Sequence, residues 1–293
     1  MKGLKVGISL LFALLLMACG DKRTIEQVVS VTIEPQRYFA EKIAGDKFTI
    51  HCVVPAGQSP ETYDPTPQQM VQVSQSKGYL KVGSLGFELA WMDNIQKNNS
   101  ALQVFDLSKG IDPIESVEEH EHHGHHHGGV DPHTWSSISG AKVIAKNTLD
   151  AFVLLDPAHA DYYRSNYDQL LVEIEQTKDS VSALLKPLAG KAFIIYHPAL
   201  TYLAKEYGLT QLCIEMDGKE PSPAQLKELV EMAREHDAKV VFVQMEFDRK
   251  NAELIAKETG CRLVSINPLD YHWSEEMIYI AKSLADGQAD RTE

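Results

Sequence analysis

The chain of 293 residues reads as an α/β protein built from two similar parallel-sheet lobes joined by one long rigid helix. Three observations predict this. Short apolar, β-branched runs alternate with amphipathic segments, as in strand–helix units with right-handed crossovers. The alternation occurs twice. Between its two occurrences lies a long helical stretch with no internal glycine or proline.

In chain order, the first half has strand candidates at 24–33, 48–54, 78–83 and 102–107. The segments between and after them read as helices, among them 35–44, ended by Gly45, and 67–76. The second half repeats the pattern with strands at 191–196, 209–215, 239–245 and 262–266. Its helices include 199–207, 223–236, 249–259 and 274–285. Runs such as Val240-Val241-Phe242-Val243 are apolar on both faces, as central parallel strands covered by helices must be. The joining helix runs from Pro157 to Leu185. Pro157 suits a first helical turn, and Pro187 with Gly190 marks the end. Tyr163, Tyr167, Leu170, Leu171, Ile174, Val181 and Leu184 fall near helical spacing. A helix of about 29 residues spans about 43 Å, enough to act as a strut along both lobes.

The N-terminus is a targeting segment and takes no part in the fold. Lys2 and Lys5 precede a mostly apolar run over 6–17, too short for a confident membrane span. It ends Leu16-Met17-Ala18-Cys19-Gly20, which resembles a bacterial lipoprotein signal cleaved before Cys19, with lipid on the thiol. The alternative is a plain secretory peptide with an incidental cysteine. More than one acyl chain would hold the protein stably at a membrane surface. The expected boundaries are a signal peptide over 1–18, an N-terminal lobe over 19–156, the joining helix over 157–186 and a C-terminal lobe over 187–293. The expected location is extracytoplasmic, anchored to a bacterial membrane.

The formal net charge is -13. Loss of residues 1–18 removes two lysines and no acid, so the processed chain carries -15. That balance argues against nucleic acid, which needs a basic footprint, and suits a protein that attracts cations. Cys52, Cys213 and Cys261 remain after processing and sit in or beside strand-like runs. They read first as small buried apolar residues, and second as one disulfide pair with a thiol left over.

Four segments join a candidate metal ligand to a proline at a strand end or the loop that follows. They are Ser59-Pro60-Glu61-Thr62-Tyr63-Asp64-Pro65, Asp131-Pro132-His133-Thr134-Trp135, Tyr196-His197-Pro198-Ala199-Leu200 and Ile266-Asn267-Pro268-Leu269. Open α/β sheets place binding groups at such strand ends, and a stiff loop lowers the cost of ordering a ligand. Imidazole with carboxylate suits Zn²⁺ and its borderline neighbours. His133 and His197 are the strongest candidates, although either alone would read as a structural histidine. Glu61 reads as a ligand or a capping residue. Asn267 offers a neutral carbonyl oxygen, or orients a water at a fourth position. Asp64, Asp131, Gln244, Asp270 and His272 are candidate outer partners or substitute ligands, each readable as an ordinary turn or surface residue.

With Pro55-Ala56-Gly57, Tyr207-Gly208-Leu209 and Gly218-Lys219-Glu220-Pro221-Ser222-Pro223-Ala224-Gln225-Leu226, these segments resemble the zinc/manganese-binding extracytoplasmic component of metal ABC importers (the cluster A-I receptors). The match runs in order through nearly all of the processed chain. The resemblance implies two pseudo-symmetric lobes bridged by a rigid helix, with the metal in the cleft between them. It implies a receptor, not an enzyme. The receptor would be a monomer that delivers Zn²⁺, with Mn²⁺ less favoured, to a permease and its cytoplasmic ATPase. The chain contains no GxxxxGK[ST] phosphate loop, so any ATP hydrolysis falls to a partner. The family usually has histidine where this chain has Glu61, and often an acid where it has Asn267. Three histidines and one carboxylate leave a zinc site at a net +1, and so do Glu61, His133, His197 and Asn267. A compensated site is therefore expected.

Segment 115–130 holds six of the twelve histidines, His120, His122, His123, His125, His126 and His127, with four glutamates and three glycines. It cannot bury a core, so a mobile loop is expected. It resembles the loop of zinc-type family members, and would serve as an auxiliary low-affinity metal collector or as a tolerated insertion. The competing readings are a zinc-dependent hydrolase, a receptor for a metal chelate, and a surface metal-binding adhesin of the same fold. The hydrolase has no HExxH motif here. The chelate receptor requires a wide cleft.

Overall fold

A computed structural model describes residues 27–115, 129–215 and 221–289. Cys19, expected to carry the lipid, the six histidines from 120 to 127 and Gly218 to Glu220 lie outside the described residues.

Two four-stranded parallel sheets carry the fold. The first holds β1 (Val28–Val31), β2 (Thr49–Cys52), β3 (Gly78–Lys81) and β4 (Gln103–Asp106) in the order β2-β1-β3-β4. The second holds β5 (Ala192–Ile195), β6 (Thr210–Cys213), β7 (Val240–Gln244) and β8 (Arg262–Ile266) in the order β6-β5-β7-β8. The two orders are the same, and each strand lies inside the segment that its composition marks out.

The first lobe's helices are α1 (Glu34–Ala44), α2 (Pro67–Ser74), α3 (Gly86–Asn98) and α4 (Ile138–Leu155). The sequence covers α3 and α4 only through the general alternation. The repeat extends to helix starts. Thr66 caps α2 by accepting from Gln69 N at 3.3 Å, and Ser222 caps α7 (Pro223–Glu235) by accepting from Gln225 N at 3.4 Å. Each is a hydroxyl residue, a proline at N1 and a glutamine at N3, the capping-box arrangement.

The joining helix α5 spans Ala160–Leu185, 26 residues and about 39 Å. Pro157 and Pro187 sit in 3₁₀ turns at its two ends, Pro157–His159 and Lys186–Leu188. The second lobe is completed by α6 (Thr201–Tyr207), α8 (Arg249–Thr259) and α9 (Trp273–Ala289). Helix α5 packs against α1 and α4 on the first lobe and α9 on the second. Glu173 on α5 accepts hydrogen bonds from Tyr38 and Lys42 of α1 and from Ser274 of α9.

One apolar core runs through both lobes. Ile33, Phe39, Trp135 and Phe152 from the first lobe share it with Ile195, Phe242, Trp273 and Met277 from the second. Smaller cores lie around Tyr79 and Phe87, and around Ile194 and Val241. The lobes also exchange two indole hydrogen bonds. Trp135 Nε1–H donates to Pro268 O at 2.8 Å, and Trp273 Nε1–H donates to Trp135 O at 2.7 Å. Cys52 and Cys213 are free thiols among the described residues, with burial pushing Cys213 up to about 12.

Candidate metal centre

Glu61 lies in the loop between β2 and α2. The loop is pinned where Pro60 O accepts from Phe87 N at 3.2 Å, at the start of α3. A Cβ on Gly86 would stand 2.3 Å from Glu61 O, so only glycine lets α3 approach this closely. His133 follows β4 and the segment from 115 to 130. Asp131 Oδ1 accepts from both His133 N, at 2.8 Å, and His133 Nδ1, at 2.9 Å. The backbone of Asp131 is itself fixed, its N donating to Ile114 O and its O accepting from Tyr202 Oη.

His197 stands two residues beyond β5. The Gln244 amide at the end of β7 clamps its backbone, accepting from His197 N at 3.3 Å and donating to His197 O at 2.7 Å. Phe247 stacks on the imidazole with ring centroids 5.2 Å apart and planes 21° apart. Glu215 Oε2 accepts from His197 Nδ1 at 3.1 Å.

These partners fix the chemistry of both rings. An ionised carboxylate only accepts, so in a neutral ring with such a partner Nδ1 carries the proton and Nε2 is left with the lone pair. The two Nε2 atoms face each other at 3.3 Å. Two lone pairs at that distance repel unless a cation lies between them. A tetrahedral Zn²⁺ with Zn–N of about 2.0–2.1 Å holds two nitrogen ligands about 3.3–3.4 Å apart, so the pair has the spacing of a zinc site. A carboxylate oxygen of Glu61 and a ring nitrogen from each of His133 and His197 lie within 4.8 Å of one another.

Burial is the largest influence on His133, 6 % exposed, and opposes its protonation. The Asp131 hydrogen bond and the charges of Asp131, Glu61 and Glu246 outweigh it and raise the pKa above the usual imidazole value. Burial likewise opposes ionisation of Asp131, but its bonds to His133 bring it below the usual carboxylate range.

The cavity between the lobes has a volume of about 10 Å³, room for roughly one water-sized sphere. Ser59, Pro60 and Glu61 close one side, and His197, Glu246 and Phe247 another. Pro268 and Leu269 line it, but Asn267 does not. Asn267 Nδ2 donates instead to Asp270 Oδ2 at 3.0 Å, and its backbone N to Glu276 Oε1 at 2.7 Å. Of the other sequence candidates, Asp131 and Gln244 hold the two histidines, Asp270 holds Asn267, and Asp64 and His272 are exposed.

Sequence reasoning passes over Glu246. It lacks the neighbouring proline that marks the other segments, but it follows the apolar strand β7 by two residues. That strand-end position is the signal that finds it. Burial raises its pKa, while the charges of His197 and His133 lower it.

Residues 29–285 match the family described as "ZnuA: Zinc-uptake complex component A periplasmic". The chain belongs to this family. It is similar to the high-affinity zinc uptake system protein ZnuA of Bacillus subtilis (strain 168), with 32 % identity over 280 residues covering 90 % of this chain and 87 % of that protein. It is also similar to the manganese ABC transporter substrate-binding lipoprotein PsaA of Streptococcus pneumoniae, with 26 % identity covering 86 % and 84 %. A crystal structure of ZnuA superposes with a TM-score of 0.82 at 34 % identity, covering 89 % of this chain and 98 % of that one. The family supplies the two-lobed frame.

Proposed function

We propose that the chain is the extracytoplasmic receptor of a metal ABC importer, taking one divalent cation between its lobes and presenting it to a permease served by a cytoplasmic ATPase. Zn²⁺ is the favoured cargo and Mn²⁺ the lesser one. Glu61, His133 and His197 are ligands. Asn267, the fourth ligand suggested by the resemblance, is the weakest member, since it does not line the cavity. The observation that carries the reading is the convergence of two imidazole Nε2 atoms at 3.3 Å beside the Glu61 carboxylate, an arrangement that a metal ion bridges when both rings are neutral. The small cavity supports it against the other readings. About 10 Å³ takes an ion but neither a metal chelate nor a hydrolase substrate beside the ion.

In the same reading, residues 1–18 are removed, lipid on Cys19 anchors a monomer, and the segment from 115 to 130 gathers zinc weakly beside the cleft. The joining helix restricts the lobes to a small tilt, so capture proceeds by loop movement.

Competition calorimetry with residues 115–129 deleted tests it. One tight zinc site with much weaker manganese binding is expected, and no tight site for either ion overturns the reading. Protons compete for the same nitrogens, so zinc affinity falls from pH 7.5 to 5.5. Loss of Glu61 in Glu61→Ala weakens zinc; an unchanged affinity would remove Glu61 from the set.

A further inference from the structure

We infer that Glu246, not Asn267, supplies the fourth metal-coordinating group, giving a site of two imidazoles and two carboxylates. This rests on the cation site proposed above. Glu246 lines the same cavity as Glu61, His133 and His197. Its charge acts on both histidines. Its chain segment is bound to His197 on either side, through the Gln244 amide clamp and the Phe247 stack. A cation that His197 holds is therefore held next to Glu246.

Glu246 stands outside the group whose ligand atoms lie within 4.8 Å of one another. Coordination therefore requires its side chain to turn inward. Glu246 is half-buried in the short turn between β7 and α8, closed where Phe247 N donates to Gln244 O at 3.3 Å, so the change is one of side-chain torsion with the backbone held. Asn267 is placed differently. It does not line the cavity, and the hydrogen bonds from its backbone N and its Nδ2 to Glu276 and Asp270 hold it on its own lobe.

The exchange has a chemical consequence. A divalent ion among two neutral imidazoles and two carboxylates leaves no net charge, whereas one carboxylate leaves +1. An anionic carboxylate in place of a neutral amide oxygen favours harder ions such as Mn²⁺. Glu246 therefore narrows the preference for zinc over manganese.

The test measures Zn²⁺ and Mn²⁺ affinities by competition with a chromophoric chelator that masks weak sites, on the full chain. The variants are Glu246→Gln, Glu246→Asp, Asn267→Ala and His133→Ala. Melting curves of the metal-free variants check folding. Loss of an outer partner weakens a metal site roughly 10–100-fold, so Glu246→Gln is expected to weaken zinc by roughly 100-fold or more. It should also raise the zinc-to-manganese affinity ratio, a change that a purely structural role would not produce. Glu246→Asp keeps the charge and is expected to fall between parent and Glu246→Gln. Asn267→Ala is expected to stay within about threefold of the parent. If Asn267→Ala takes the loss, or if neither variant moves affinity or ratio, the inference is overturned in favour of Asn267 or a water. His133→Ala reads the underlying site separately: if it binds zinc like the parent, the inter-lobe site itself has failed, whatever Glu246 does.

Discussion

The two sheets have the same strand order but use it differently. In the first lobe Glu61 and His133 follow the edge strands β2 and β4, on loops that reach the cleft from the flanks. In the second lobe His197 and Glu246 follow the central strands β5 and β7, after two residues each. The central strand ends of the first lobe hold something else. Thr32 after β1 and Val82 and Gly83 after β3 all donate to the carboxylate of Glu88, which is 2 % exposed. Where parallel strands diverge, a crevice opens that suits a ligand. One lobe seals that crevice with an internal acid, and the other leaves it open to the cleft. The first lobe then brings its candidate ligands in on loops, and those loops carry the extra pins at Phe87, Ile114 and Tyr202.

The largest effect expected from breaking this contrast is on stability. Glu88→Ala leaves the N–H groups of Val82 and Gly83 without their acceptor and opens a cavity. A loss of about 4 kcal/mol in urea unfolding is expected; a loss below about 1 kcal/mol would mean that the acid does not seal the crevice.

Glu88 also gives the sealed lobe a pH signature. Burial raises its pKa from 4.5 to about 7, against the opposing effect of its hydrogen bonds. The folded chain binds this proton more tightly than the unfolded one, so its contribution is complete below about pH 4.5 and is lost as pH rises through about 7. At about 1.4 kcal/mol per unit, the parent should lose about 3 kcal/mol relative to Glu88→Gln across that window. Parallel stability–pH curves for the two proteins would contradict this.

The orienting carboxylates sharpen the comparison at the site itself. Asp131 is 6 % exposed and bonds His133 twice, whereas Glu215 bonds His197 once at a longer 3.1 Å. Asp131→Asn should weaken zinc binding roughly 100-fold and Glu215→Gln roughly 10-fold, the two ends of the range for such partners. The reverse ranking, by the same competition titration, would place the tighter hold in the second lobe.

The smallest expected effect is at the seam. Trp135→Phe and Trp273→Phe each remove one hydrogen bond to a buried carbonyl, worth about 1–2 kcal/mol. Trp135 takes part in both bonds, so the double variant should depart from additivity; strictly additive losses would show the two bonds to be independent.

Much of this was legible in the residues. All eight strands announce themselves by short apolar runs, and prolines point to Glu61, His133 and His197 because a rigid loop needs a residue that fixes φ. Glu246 has no such marker, standing in Gln244-Met245-Glu246-Phe247-Asp248 among ordinary polar residues. Glu215 gives no sign of its role either, since its bond to His197 joins two different strand ends. The indole exchange between Trp135 and Trp273 spans 138 positions. Local pattern carries periodicity and loop stiffness, but not which distant side chain turns toward a given ring.

The apolar core that passes through both lobes ties the order of synthesis to the moment of folding. Trp273, Met277 and Ile280 lie on the last helix and fill the same interior as Phe39 and Phe152 near the front. A nascent chain that lacks them has that interior with one wall absent, so the shared core closes only when the last helix is available. The smaller core around Tyr79 and Phe87 draws on the first lobe alone. For a chain read as exported, the late closure keeps that shared core loose while the polypeptide is being moved.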